Sequence, residues 1–370
     1  MIKRQSQIVM LLLTLIASVS VAQAQTVKIT PVGARTGDFC ATDRALIFED
    51  PTGVRILYDP GRTITGSMDP RLRDVHVILI SHSHGDHLGD AKLNQDPNAP
   101  NALCVGAPTV ASPNTMIAEI AAAKNSAVLG GGPLVSFLGT RIAAQAGTTN
   151  TPGCPSAGLS NEMTVPRTTP CTAGIGLGAK RTVRLVSASK GVQIAAVPAA
   201  HPDELSPTLL SDPERTNLAA NGISAYAGLA NGFVVTFTNG LKAYLSGDTG
   251  LMSDMSTIVN GYYGANLAVL NVGDIFTTGA EEGAFAVLKL LKPVAVIPEH
   301  VNEAATSGGV LNPSSRTALF IRLVSADAGR QSDDDDLGRH ERRGRVSVFL
   351  PFSGVTMEFD GDAQCVSVCR

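Results

Sequence analysis

The stretch Val75-His76-Val77-Ile78-Leu79-Ile80-Ser81-His82-Ser83-His84-Gly85-Asp86-His87 decides how the rest of the chain is read. Residues 75–81 form a near-continuous apolar run, the pattern of a strand buried on both faces. The run stops abruptly in His82-Ser83-His84-Gly85-Asp86-His87, which places four potential metal ligands within six residues. A loop at a strand end aims side chains convergently from a rigid base, as a preformed metal site requires. Imidazole nitrogen and carboxylate oxygen suit Zn, Mn or Fe. His82 and His84 share parity and could face one ion, with Asp86 and His87 turned toward a second. His76 shares parity with Ile78 and Ile80 and reads as a core histidine.

The same logic finds three more candidates, each following an apolar strand. His201 ends Ile194-Ala195-Ala196-Val197-Pro198-Ala199-Ala200-His201, and Asp248 lies in Ala243-Tyr244-Leu245-Ser246-Gly247-Asp248-Thr249-Gly250. His300 ends Val294-Ala295-Val296-Ile297-Pro298-Glu299-His300. Singly each is a weak signal, because a lone His or Asp after a strand is commonly a hydrogen-bonded structural residue. Jointly, in this order after His-x-His-x-Asp-His, they make a ligand set.

Around these points the chain alternates strands and helices. Strands at 45–49 and 54–58 flank Asp50-Pro51-Thr52-Gly53, a turn with hairpin chemistry. Ser112-Pro113 predicts a helix to about residue 124, with Ser as N-cap and Pro at the first helical position. The segment 130–180, rich in Gly, Pro and Thr, reads as a loop-rich insertion, with Gly130-Gly131-Gly132 as loop. Strands return at 183–187 and 192–198, and 233–246 reads as a hairpin about Asn239-Gly240. Residues 267–272 and 294–298 are buried strands, 280–292 an amphipathic helix, and 313–326 a second helix. Thr278-Gly279-Ala280-Glu281 matches a capping box, and Glu299 reads first as solvent-exposed, with support of the ligands or a proton relay as the alternatives. The charged runs 333–336 and 339–345, with His340, read as surface before a strand at 346–350. Sheets sandwiched between helices follow from this order.

The first 24 residues do not read as fold. Lys3 and Arg4 precede an apolar run at 8–19, and Ala22-Gln23-Ala24 supplies the small residues a signal peptidase reads. Residues 1–24 are therefore expected to be a signal peptide, leaving 25–370 as a single domain, exported to the periplasm or secreted. No membrane anchor is expected after cleavage. Six cysteines, all in the mature part, suggest disulfides in an oxidising compartment. Among the pairings open to them, Cys154–Cys171, Cys365–Cys369 and Cys40–Cys104 are the expected ones. The chain of 370 residues carries 29 Lys+Arg against 32 Asp+Glu, and 4% aromatics. That balance offers no footprint for nucleic acid, so a small-molecule substrate is expected.

With these motifs in place, the chain resembles the metallo-β-lactamase-fold hydrolase superfamily. Within it, the resemblance is best to the branch that includes L-ascorbate-6-phosphate lactonase. The resembling residues are His82-x-His84-x-Asp86-His87, the Val-Pro-Ala-Ala-His run at His201, Gly247-Asp248-Thr249-Gly250 and Pro298-Glu299-His300. The resemblance implies an α/β fold, a four-layer αβ/βα sandwich with a binuclear site along one edge. It implies that His82, His84 and His201 bind one metal, that Asp86, His87 and His300 bind the other, and that Asp248 bridges. The chain departs from that branch in Val301, where an aromatic residue is common, and in the 114 positions between His87 and His201.

The expectation is an exported, metal-dependent hydrolase holding two divalent ions, zinc foremost, with Mn or Fe as alternatives. Two cations sharing a water would supply hydroxide at neutral pH for attack on a lactone, ester or amide. Asp86 and Asp248 are the carboxylates expected to take part in catalysis. A phosphodiesterase of the same fold, a mono-iron oxidoreductase and a non-catalytic binding protein are the alternatives.

Overall fold

A computed structural model describes residues 25–330 and 345–369. The leader read at 1–24, the acidic run 333–336 and the basic stretch through residue 344 with His340 lie outside the described residues.

Two mixed sheets stack face to face. The first runs Met357–Phe359, Val27–Pro31, Leu46–Glu49, Arg55–Tyr58, Val77–Leu79, Ala127–Gly130, Cys171–Gly174. The second runs Ser347–Val348, Ala295–Glu299, Leu267–Asn271, Lys242–Leu245, Asn231–Thr236, Val192–Pro198, Lys180–Leu185, Glu162–Val165. The period-2 alternation of a strand assigns the faces. Val77 and Leu79 enter the layer between the sheets with Phe48, Phe233 and Ile297. Ile78 and Ile80 point the other way, onto Met116 and Ile120 of helix Thr115–Lys124 and Leu134 of helix Gly132–Ala146. Beyond the second sheet, Tyr244, Leu270 and Val296 pack under the π-helical segments Met255–Tyr263 and Ala286–Leu291 and the helices Ala280–Phe285 and Arg316–Arg330. The result is the expected four-layer α/β sandwich.

Both hairpins form. Glu49 pairs with Arg55 across the first turn, where Asp50 accepts the Thr52 N–H at 2.9 Å. Residues 231–236 pair antiparallel with 242–245 in the second.

The segment 130–180 corrects the loop-rich expectation. It holds the 15-residue helix Gly132–Ala146, with Leu134, Val135, Leu138 and Ile142 buried. Strands Glu162–Val165 and Cys171–Gly174 extend both sheets. Burying each large aliphatic side chain contributes about 1.5–3 kcal/mol, enough to override the local preference of Gly131-Gly132 for a turn. Pro133 is tolerated in the first helical turn, where its missing N–H has no intrahelical partner to lose.

Three local expectations also fail for physical reasons. Ser112 does not cap: Thr115 adopts a left-handed φ of 71°, so the helix starts there, and Ser112 Oγ donates to Glu119 at 2.6 Å. The box at 278–281 does not form, because Thr278 Oγ1 is bonded to the Asn271 carbonyl at 2.6 Å and Gly279 is the cap. His76 is half-buried at the start of its strand, not core, and its Nδ1 accepts the Arg55 N–H at 3.0 Å.

All three expected disulfides are present, Cys40–Cys104, Cys154–Cys171 and Cys365–Cys369. Cys40–Cys104 spans 64 residues, and chain-entropy reasoning for such a loop gives about 4 kcal/mol. The double variant Cys40→Ala/Cys104→Ala is therefore expected to lose most of that in denaturant unfolding under oxidising conditions. Under thiol reduction the two proteins should converge.

Asp43 is buried beneath that disulfide and accepts N–H groups from Ala34 at 2.8 Å and Cys40 at 2.9 Å. Burial, the largest influence, pushes its carboxyl from 3.8 up to about 6 against the pull of those N–H groups, Arg44 and Arg71. A carboxyl that binds its proton more tightly when folded contributes stability that is full below pH 3.8 and lost as pH rises through about 6. The stability of the native chain relative to Asp43→Asn should fall by about 2 kcal/mol between pH 4 and pH 7. A flat difference in paired urea titrations across that window would contradict this.

Candidate metal centre

Strands Lys242–Leu245, Leu267–Asn271 and Ala295–Glu299 are parallel, and two antiparallel pairings give Val192–Pro198 the same direction. His201, Asp248 and His300 therefore emerge at one end of the second sheet. Strand Val77–Leu79 delivers the His82–His87 motif from the first sheet.

Within that motif the chain folds into the short helix Gly85–Leu88, with His84 extended just before it and His87 in its turn. Two glycines make this turn possible. A Cβ on Gly85 would lie 2.2 Å from an Asp90 carboxylate oxygen. Gly89 has a φ of 73°, and a Cβ there would lie 2.5 Å from the Gly61 carbonyl oxygen.

The seven expected residues converge as two adjacent groups. His82, His84, His201 and Asp248 form one, and Asp86, His87 and His300 the other, with ligand atoms in each within 4.8 Å of one another. Asp248 lies between them. Its Oδ2 is 3.6 Å from His201 Nε2 and 3.2 Å from His300 Nε2, and its Oδ1 is 3.3 Å from His87 Nε2. Asp86 Oδ2 lies 3.4 Å from His300 Nε2.

Partners behind the ligands set which ring nitrogen faces inward. Asp59 lies 2.9 Å from His87 Nδ1 and accepts the Ser81 hydroxyl at 2.6 Å and the Ser81 N–H at 2.9 Å. Ser81 Oγ in turn lies 3.0 Å from His82 Nδ1, and the Phe276 carbonyl 3.1 Å from His201 Nδ1. With Nδ1 occupied, Nε2 of these three rings is turned to the centre, the arrangement that orients metal-ligating imidazoles. Asp203 accepts the Ser83 N–H at 2.7 Å and fixes the loop between the two histidines.

Burial pushes the His82 and His201 imidazoles down, toward the neutral form whose lone pair can bind a cation. Burial also opposes charge on Asp248 and Asp86, but the facing histidines outweigh it and hold both carboxyls well below the usual range. His87 is the reverse case: burial pushes it down, and Asp248, Asp59 and Asp86 together raise it. Three carboxylates around one buried ring make a field that favours positive charge.

Those groups fit a divalent cation on a separate ground. His82 Nε2, His87 Nε2, Asp248 Oδ1 and both ring nitrogens of His300 are buried without a hydrogen-bond partner. An unsatisfied buried polar group costs about 1–3 kcal/mol, and four of these atoms, all but His300 Nδ1, face one another here. Lone pairs donated to a cation would offset that cost.

Several contributors escaped sequence reasoning. Asp59 follows the buried strand Arg55–Tyr58, so the strand-end logic could have found it, but Asp59-Pro60-Gly61 reads as an ordinary turn. Arg44, 3.3 Å from Asp86 Oδ2, and Asp203 gave no signal. Glu299, expected in solvent, is buried, and burial pushes its carboxyl well above the usual range.

Fold and clustered ligands define a metal-dependent hydrolase of the metallo-β-lactamase fold. The chain belongs to the β-lactamase superfamily domain family, whose model matches residues 42–300. It is 27% identical over 296 residues to a UPF0173 metal-dependent hydrolase of Cupriavidus metallidurans, covering 76% of this chain and 79% of the relative. A shorter match, 44% identical over 75 residues, links it to a UPF0173 metal-dependent hydrolase of Methanosphaera stadtmanae, over 20% of this chain and 32% of that relative. Among solved structures, Igni18, a metallo hydrolase from Ignicoccus hospitalis, superposes with a TM-score of 0.51 at 21% identity, covering 90% of this chain and all of the other. At that identity the likeness speaks to fold alone.

Proposed function

We propose that this chain is an exported hydrolase working with two divalent cations, zinc foremost, on a lactone or a related small ester or amide. The observation that carries the reading is Asp248, whose two oxygens reach ligands of both histidine groups. His82, His84 and His201 would hold one ion, Asp86, His87 and His300 the other, and Asp248 would bridge them. When bound, such a pair supplies Lewis acidity and lowers the pKa of a coordinated water toward neutrality. The chain's own residues do the rest. Asp59 and Ser81 keep the inward nitrogens of His87 and His82 aimed, and the facing histidines hold Asp248 in the charged form that a bridging ligand needs. Export is supported by the leader pattern at 1–24 and by the pairing of all six cysteines.

The test is a parallel assay of lactones, carboxylic esters, β-lactams and phosphodiesters on the zinc-loaded mature chain. Turnover of a lactone or ester, abolished by chelator and restored by zinc, is the expected result. Turnover confined to phosphodiesters would contradict the substrate assignment.

A further inference from the structure

Beside Asp86 lies a cavity of about 270 Å³ lined by Ala41, Thr42, Arg44, Arg62, Asp86 and Asn302. Arg44 is a fixed charge, its side chain only 4% exposed. Its Nη1 donates to the carbonyls of Ala41 and Asp43, and its Nη2 to Asp86 and to Asn302 Oδ1 at 2.8 Å. Arg62 differs, with a side chain 38% exposed. Asp90 engages its Nε at 2.6 Å and its Nη2 at 2.9 Å, which leaves Nη1 uncommitted to that pair. A guanidinium offers donors on more than one edge, and one edge here is already oriented.

Charge balance then indicates what the cavity accepts. Arg44 and Arg62 are matched by Asp86 and Asp90 as they stand. Once Asp86 serves a cation, as proposed above, the cavity wall is net positive. Thr42 and Asn302 complete it with neutral polar groups. The disulfide Cys40–Cys104 anchors the segment that carries Ala41 and Thr42. We infer that this cavity receives an oxyanion carried by the substrate, a carboxylate or a phosphate. Arg62 makes the direct contact, and Arg44 stands behind as a permanent charge. The substrate class of the proposed function narrows to esters or lactones that carry an anionic group close to the reacting bond. The inference rests on the metal-centre reading.

The experiment is calorimetric titration of the zinc-loaded mature chain with inorganic phosphate and, separately, with acetate. It is run on the native protein, Arg62→Ala, Arg62→Lys and Thr42→Glu, with zinc content and far-ultraviolet dichroism recorded for each. Binding weakened about tenfold or more in Arg62→Ala and Thr42→Glu at unchanged zinc content is expected, with Arg62→Lys intermediate. Stronger binding of phosphate than acetate assigns a phosphate group, and the reverse a carboxylate. Variants that bind both anions as the native chain does, or a zinc-loaded native chain that binds neither, would overturn the inference alone. A native chain that loads no zinc overturns the metal-centre reading and this one with it, and the zinc measurement separates the two cases.

Discussion

Asp248→Ala is expected to reduce turnover by about 10³-fold or more, since a bridging carboxylate supports both ions and each tenfold corresponds to about 1.4 kcal/mol of barrier. Two further readouts separate a lost metal site from a lost fold. Asp248 is buried and its charge is held by the facing histidines, so its removal is expected to lower the stability of the metal-free chain at neutral pH. The metal-free variant should keep the native far-ultraviolet dichroism and unfold cooperatively, at a lower temperature than the native chain. Zinc should stabilise the native chain by a margin that grows about 1.4 kcal/mol per tenfold excess over the dissociation constant, and should barely stabilise the variant. A variant that keeps both its activity and its zinc-induced stabilisation would contradict the bridging role. His84→Ala serves as the comparison, losing a ligand of one group only.

The second large effect is expected at a residue outside the ligand set. Asp59→Ala removes the acceptor for His87 Nδ1, the Ser81 hydroxyl and the Ser81 N–H together. Loss of a carboxylate that orients a ligating imidazole typically costs 10–100-fold in metal affinity or activity. Buried donors left without an acceptor add about 1–3 kcal/mol each in stability. Asp59→Asn keeps the volume and one acceptor oxygen and should recover part of both losses. The check is zinc affinity by chelator competition, read beside urea unfolding of the metal-free proteins. Lowered stability with native zinc affinity would mean that Asp59 supports the fold and not the ligand.

The centre was legible because its signals are local. Four potential ligands in six residues, placed after a run as apolar as 75–81, leave few alternative readings, and His201, Asp248 and His300 each sit where a strand ends. The residues that hold them were not, because their partners are distant in sequence. Asp59 acts on His87 across 28 positions and Asp203 on Ser83 across 120, and neither spacing leaves a pattern in a single chain. The helix Gly132–Ala146 shows the other kind of failure. Leu134, Leu138 and Ile142 carry its four-residue spacing in plain view, but Gly130-Gly131-Gly132-Pro133 in front of them signals a loop, and packing onto the first sheet decided the outcome. Glu299 was misread because a carboxylate one residue from a candidate ligand looks solvated until the strand around it is seen to be buried throughout.

The central claim is that seven residues from four strand ends form one centre for two cations. Metal content of the chain, purified without chelator, tests it most directly, by elemental mass spectrometry against protein concentration. Two divalent ions per chain, zinc foremost, are predicted, falling to one or fewer in Asp248→Ala. A folded native chain that contains no metal and takes up none on dialysis against zinc would contradict the account.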